Sequence, residues 1–290
     1  MSTLAFSLIL FSALMHAFWN LLVKRSRDKT IYIWWMFLVS AVIFTALLPF
    51  VHGTFPPATL HTIALAAAGG LCFVLYHIAN GQAYHSGDLS LVYPLSQTSM
   101  LYVPIWGSLL LGEVISGRGF CGIALVVIGV WTVQLRRFSL YEAFRPFRSL
   151  NEDAVRYALM AGFIYSIGAV IDKTGVSGYS PLYFTYLLVI FMLLFMSINL
   201  LRPRYRGRIL AEWRHNPRLI LIAGPVMMGS FLTFRYGLKL APLSYAVPTR
   251  QVSILIGVLI GILFLNEACG RIRLLAGFTI LAGVILIRFS

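Results

Sequence analysis

The sequence predicts an all-α polytopic membrane protein of ten transmembrane helices, arranged as two inverted five-helix repeats. Three observations predict it. The first is composition: 59% of the 290 residues are hydrophobic, only 11% are charged, and mean hydropathy is +0.85. A soluble domain carries about 25% charged residues, so this chain lacks the charge to cover a water-exposed surface. The second is an internal register. Leu89, Ser90, Pro94, Gln97, Ser99, Glu113 and Gly129 fall on Leu243, Ser244, Pro248, Gln251, Ser253, Glu267 and Gly283, all at an offset of 154. The third is the loop charge pattern described below, which sets the two copies antiparallel.

A spanning helix needs about 20 apolar residues, because the hydrocarbon core is about 30 Å thick and the backbone must satisfy its own hydrogen bonds there. That rule gives helices at about 4–23, 31–50, 60–80, 89–112, 119–135, 155–173, 181–201, 218–239, 243–266 and 272–289. The first has no basic n-region and no small-residue cleavage site, so it reads as a retained helix. The sixth and tenth have the shortest uncharged runs, and Arg156, Arg273 and Arg288 there must snorkel to the interface. Proline and glycine mark connections, as in Gly53 to Pro57 and Arg202 to Gly207. The expected domains are a first repeat over 4–135, a cytoplasmic linker over 136–154 and a second repeat over 155–289.

Loops numbered alternately divide the basic residues unequally. Seventeen of the 23 lysines and arginines lie on one side, in the stretches 24–29, 136–156, 202–218 and 271–273. Excess Lys and Arg marks the cytoplasmic face, so the loops after helices one, three, five, seven and nine are inside and both termini are outside. Positive-inside topology explains the net charge of +14 better than a nucleic-acid partner does. Five is an odd number, so consecutive five-helix repeats have opposite orientations. Many secondary transporters use such inverted repeats to hold a substrate between their halves. The three cysteines, Cys72, Cys121 and Cys269, lie far apart and read as buried small hydrophobes; no metal, cofactor or disulfide is implied.

Pro94 to Ser99 with Leu109 to Glu113 and Gly122 to Gly129, echoed by Pro248 to Ser253, Glu267 and Gly277 to Gly283, resembles the EamA-type branch of the drug/metabolite transporter superfamily. The resemblance covers nearly the whole chain. It implies a ten-helix inverted-repeat transporter that moves small metabolites, commonly amino acids or related organic solutes, around a central cavity. Relatives are often drawn with both termini inside, whereas the loop charges here argue for both outside. The expected setting is the bacterial inner membrane, with a small-molecule substrate, membrane lipids as neighbours, and a monomer or homodimer as the working form.

Ser12, His16, Asn20 and Lys24 recur every four residues on helix one and share a face. Unpaired polar groups against lipid cost about 1 to 3 kcal/mol each, so that face, with Trp19 beside it, should point into the bundle. There His16 is a candidate proton carrier; packing is the alternative for both His16 and Asn20. Lys24 reads as snorkelling. Tyr76 and Asn80 offer hydrogen bonds from helix three, and Arg235 with Tyr236 stands in nearly the corresponding place on helix eight. Arg250 lies about 10 Å into helix nine and either snorkels or faces an aqueous cavity. Lipid exposure costs an arginine at least about 2.5 kcal/mol, so the interior is cheaper. Its planar fork then suits a carboxylate, phosphonate or phosphate. Two cations with no carboxylate on the same helices favour an anionic or zwitterionic solute.

Pro94 and Pro248 each remove an amide donor inside a helix and are candidate hinges. Tyr93, Ser96, Gln97 and Gln251 flank those breaks and complete the candidate cavity. Glu113 and Glu267 end helices four and nine, where they are expected to cap or gate through loop amides or through Arg118 and Arg271. No carboxylate lies mid-membrane in helix one to anchor proton-coupled multidrug transport. A membrane enzyme would show clustered carboxylates or histidines, and the nine acidic residues are scattered. A lipid flippase of the same fold is the alternative; it predicts a sideways-opening apolar cleft under a cationic rim.

Overall fold

The computed structural model describes the chain except residues 52–55, 87–91, 93, 94, 134, 136, 138, 140, 145–151 and 266–269, and except the side chains at 86, 204 and 261–265. All regular structure among the described residues is helical. In chain order the helices are α1 (Thr3–Lys24), α2 (Lys29–Leu47), α3 (Leu60–Ser86), α4 (Ser99–Leu111), α5 (Gly117–Thr132) and α6 (Asp153–Gly178). They continue with α7 (Pro181–Leu200), α8 (Arg208–His215), α9 (Pro217–Leu240), α10 (Leu243–Arg250), α11 (Val252–Leu265) and α12 (Arg271–Arg288).

Local chemistry sets the ends of these helices. Ser2 caps α1 by accepting from the Ala5 amide at 3.2 Å, and Asp28 caps α2 by accepting from Thr30 and Ile31 at 3.1 and 3.2 Å. Ser116 accepts from Gly119 at the start of α5. Gly112, with φ 66°, ends α4 in the left-handed conformation that favours glycine. Among the described residues, seven stretches are long and apolar enough to cross a membrane. Helices α4 and α5 are shorter, at 13 and 16 residues, and α12 has 18 residues with arginines at 271, 273 and 288.

Several boundaries differ from the sequence reading. Helix α3 continues past residue 80 to Ser86, and α6 runs to Gly178, which takes Asp172 and Lys173 inside a helix. The stretch read as a loop after residue 201 contains α8. Its Trp213 packs on Trp35 with centroids 4.7 Å apart, and its Glu212 accepts from the Arg27 and Asp28 amides. The ninth segment, read as continuous over 243–266, is broken at Gln251. Pro248 has no amide to continue the ladder, the Gln251 amide turns back to the Pro248 carbonyl at 3.0 Å, and α11 begins afresh. The same interruption occurs at Gln97, where Thr98 bonds Leu95 and Met100 bonds Gln97, each at 3.2 Å. Cys121, expected to be buried, is exposed on α5, next to the exposed Phe120; Cys72 is half-buried. Cys269 and most of the 136–154 linker lie outside the described residues.

The two halves of the chain are interleaved. At the offset of 154, α1 corresponds to α6, α2 to α7, α3 to α9, α4 to α11 and α5 to α12. Helix α1 packs along α9 and α3 packs along α6, so one pairing is made twice with the halves exchanging roles. Glycine allows the close approaches. A Cβ on Gly70 would lie 2.9 Å from the Phe191 Cβ on α7, and one on Gly224 would lie 2.8 Å from the Val39 Cβ on α2. Where α5 crosses α12, Gly122 meets the Gly283 carbonyl and Gly129 meets the Ala276 carbonyl, so these helices run antiparallel. Serines add bonds between halves: Ser12 and Ser230 exchange hydroxyl-to-carbonyl bonds of 2.8 and 3.0 Å, and Ser40 donates to the Gly224 carbonyl at 2.8 Å.

The chain ends meet at one end of the bundle. The Met1 amine donates to the Ser290 carbonyl at 3.4 Å, while Arg288 donates to the Met1 carbonyl and to the Thr3 hydroxyl.

Candidate functional site

Helices α1, α3, α6, α9 and α10 bring a set of polar side chains together inside an otherwise apolar bundle. Arg250, the last residue of α10, sits at its centre. One Nη of its guanidinium donates to the Ser230 hydroxyl at 3.2 Å and to His16 Nδ1 at 3.1 Å. The guanidinium carbon lies 4.3 Å from the centroid of the Phe234 ring, and the Tyr165 phenol is close by. Its Nε is buried with no protein partner. Because guanidinium only donates, His16 Nδ1 accepts, which places the neutral imidazole's proton on Nε2. Trp19 meets His16 edge-on with centroids 4.9 Å apart, and its own indole N–H is buried without a partner.

Arg235 is placed differently. It is 2% exposed, and its Nε donates to Asp172 Oδ1 at 2.7 Å; Asp172 is equally buried. A second donor reaches the Phe231 carbonyl at 3.3 Å. The sequence argument sought carboxylates on the arginines' own helices, and α6 supplies one from outside them. The cluster therefore holds two guanidiniums and one carboxylate, and Arg250 is the cation that no carboxylate contacts directly. Burying an ion alone is costly, whereas pairing Arg235 with Asp172 returns much of that cost.

Other expected residues surround this centre. The Tyr76 ring lies 5.2 Å from Tyr165, which links α3 to the Arg250 environment. Asn80 turns a buried amide oxygen with no partner. Ser96 is buried, and Gln251 Nε2 donates to Gln97 Oε1 at 3.4 Å, so the two corresponding helix breaks touch. Pro248 is buried in α10, and so is Thr249, which the sequence reading had not singled out and whose hydroxyl has no partner. Asn20 is exposed and donates to the His16 carbonyl of its own helix. Tyr236 is 39% exposed, away from the buried side of α9 that carries Arg235. Tyr93, Pro94 and Glu267 lie outside the described residues.

Glu113 is not in the cluster. Its carboxylate accepts from the Leu243 amide at 2.5 Å, the Ser244 amide at 2.9 Å and the Ser244 hydroxyl at 2.6 Å. It thus caps α10 across the halves, where a negative charge meets the positive end of a helix. The same end of α9 and α10 is tied further: Lys173 donates to the Leu238 and Ala241 carbonyls, both at 2.8 Å, and Lys239 to the Tyr179 carbonyl. The Tyr179 hydroxyl donates to the Pro56 carbonyl, and burial raises its pKa above the ordinary value.

Four members of the cluster escaped the sequence reading: Asp172, Tyr165, Ser230 and Phe234. Asp172 adjoins Lys173 at what read as a helix end. Tyr165 and Phe234 sit within apolar runs that gave no reason to single them out. A usable signal was Ser230, which falls on Tyr76 at the offset of 154, since Tyr76 was itself a candidate.

The sequence profile of the EamA-like transporter family matches residues 3–135 and again 154–289. The chain belongs to the EamA-like transporter family. Its two matches make it a two-repeat EamA protein of the drug/metabolite transporter superfamily, an integral membrane transporter of small molecules. Among curated proteins the sequence finds no match. A solved structure titled only as the crystal structure of a protein is similar in fold, with a TM-score of 0.71 at 15% identity over 99% of this chain and 96% of that one.

Proposed function

We propose that this EamA protein is a secondary transporter that moves a small anionic or zwitterionic organic solute, such as an amino acid, organic acid or phosphonate, by alternating access. The observation that carries the reading is Arg250. Its buried guanidinium has an unpartnered Nε, and the Trp19 indole N–H and the Thr249 hydroxyl are also buried without a partner; these are donors that an incoming carboxylate, phosphonate or phosphate would satisfy. The unpartnered Asn80 oxygen is an acceptor suited to an ammonium group.

The architecture proposed with it is ten crossings in two inverted repeats. Both chain ends lie at one end of the bundle, so the number of crossings is even, and seven apolar stretches leave an odd count that the shorter α4, α5 and α12 complete. The exchanged pairings of α1 with α9 and α3 with α6, and the contact of Gln97 with Gln251, are what a two-fold axis in the membrane plane produces. The loop charges then put both termini outside. Protonation of His16 would cost it the bond from Arg250, which gives proton coupling a physical route.

Reconstituted protein should show counterflow of at least one member of a panel of amino acids, organic acids and phosphonates; no accumulation of any solute overturns the reading. A lateral groove between α3 and α7, apolar with Arg202 at its rim, favours the flippase as a second reading. Under that reading, a fluorescent phospholipid in the inner leaflet of proteoliposomes becomes accessible to an external quencher, and the solute panel stays flat.

A further inference from the structure

The same groove lies apart from the polar centre and shares no residue with it. It has a volume of about 250 Å³ and opens sideways between α3 and α7. Leu71, Leu75 and Ile78 wall it on one side and Ile198 on the other, over about 10 Å of helix at 1.5 Å per residue. Two polar residues close one end. Asn199 lines the groove, is 7% exposed, and has an amide oxygen buried without a partner. Arg202 stands exposed at the rim. It opens the 202–218 stretch, which carries six arginines; Arg206, Arg214 and Arg218 are exposed, and Arg208 alone of the described side chains is paired, with Asp28 at 2.5 Å.

Among the described residues, the corresponding positions of the other half differ. At the offset of 154, Arg202 falls on Leu48 and Asn199 on Thr45, whose hydroxyl donates to the Ala41 carbonyl at 2.8 Å. The helix packing is repeated, but the cation and the unsatisfied acceptor occur once. General membrane solvation would need neither.

We propose that this groove is a binding site for one anionic phospholipid with a hydroxyl-bearing headgroup, of the phosphatidylglycerol kind. One acyl chain lies against Leu71, Leu75, Ile78 and Ile198. The phosphate meets the Arg202 guanidinium, and a headgroup hydroxyl donates to the Asn199 oxygen. A phosphatidylcholine headgroup has no donor for Asn199 and no net charge for Arg202, so the site discriminates against it. The remaining exposed arginines concentrate anionic lipid at this end of the bundle.

The test is native mass spectrometry of the full chain released from detergent with added phosphatidylglycerol, phosphatidylethanolamine or phosphatidylcholine, together with thermal unfolding. Phosphatidylglycerol should give a one-to-one adduct and raise Tm, with occupancy at least about fivefold above that of phosphatidylcholine. Arg202→Gln, Asn199→Leu and Leu75→Trp should each remove that preference. Arg202 and Leu75 are exposed, so their replacement leaves the fold in place, which elution volume checks. On the unaltered protein, unlabelled phosphatidylglycerol should displace a pyrene-labelled phosphatidylglycerol, and glycerol phosphate should not. Equal retention of all three lipids, adducts that survive both Arg202→Gln and Leu75→Trp, or displacement by glycerol phosphate would each overturn the proposal. Phosphatidylethanolamine binding as well as phosphatidylglycerol would remove the role given to charge. None of these readouts involves solute transport, so they stand or fall apart from the transport reading.

Discussion

Residues 3–135 and 154–289 share five corresponding helices, yet they contribute unequally to the buried polar centre. Gly70 and Gly224, Gly129 and Gly283, and Gln97 and Gln251 are identical pairs, and each sits where helices of the two halves approach closely. The charged positions are different. Arg250 faces Ser96 in the alignment, Arg235 faces Gly81, and Asp172 faces Phe18; Ser230 and Phe234, which hold Arg250, face Tyr76 and Asn80. Packing demands the same small residues twice, because the same crossings recur. A ligand-sized cluster of charge between the two halves has room for one set, so one half supplies the ions and the other supplies neutral polar groups.

That asymmetry can be broken first at its most buried point. Asp172→Ala leaves Arg235 as an uncompensated buried charge and should cost about 3 to 5 kcal/mol, read as a large fall in Tm or loss of monodisperse protein. The double replacement Asp172→Leu with Arg235→Met should recover most of the loss; if it does not, the pair does more than neutralise itself. Next, Arg250→Ser gives the second half the residue the first half already has. Losing charge-assisted hydrogen bonds of about 1.5 to 3 kcal/mol should weaken solute binding about 10- to 150-fold in counterflow, with Tm nearly unchanged. Arg250→Lys, which keeps charge without the fork, should recover part of it.

The shared scaffold should respond alike in both halves. Gly70→Ala and Gly224→Ala each push a methyl into a neighbouring helix and should each cost about 1 to 3 kcal/mol in thermal unfolding. A large inequality between them would mean that the halves are not mechanically equivalent. Gly81→Ala is the smallest effect. No atom outside its own helix lies within 4 Å of the added Cβ, so it should stabilise α3 by about 0.5 to 1 kcal/mol, on the propensity of alanine over glycine.

Much of the fold was legible because membrane burial leaves a strong mark. Length, hydropathy and the 154-residue register located nearly every helix. The breaks at Gln97 and Gln251 lie three residues beyond Pro94 and Pro248, whereas a proline's missing amide disturbs the turn before it, so the prolines marked the region of each break and not its position. Helix α8 was missed because its mixed charge reads as loop, and residues from elsewhere, among them Ile31, Trp35, Arg27 and Asp28, give it a surface to fold on. Arg235 and Arg250 stood out as rare intramembrane charges. Their partners did not, because Asp172 and Tyr165 are brought to them by α6, and sequence spacing carries no information about which helix comes alongside. Glu113 was read against its own helix, whereas its carboxylate serves the start of α10 in the other half.

The pairing of α1 with α9 has a consequence for how the protein is made. Helix α1 leaves the ribosome about 200 residues before the helix it packs against, a delay of roughly 10 to 40 s at 5 to 20 residues per second. Until then Ser12 and His16 stand in the bilayer without Ser230 and Arg250. The first half must therefore wait in the membrane as an unfinished assembly, held only by contacts such as those of α2 with α3, and the last segments inserted complete a structure whose first segment has been waiting longest.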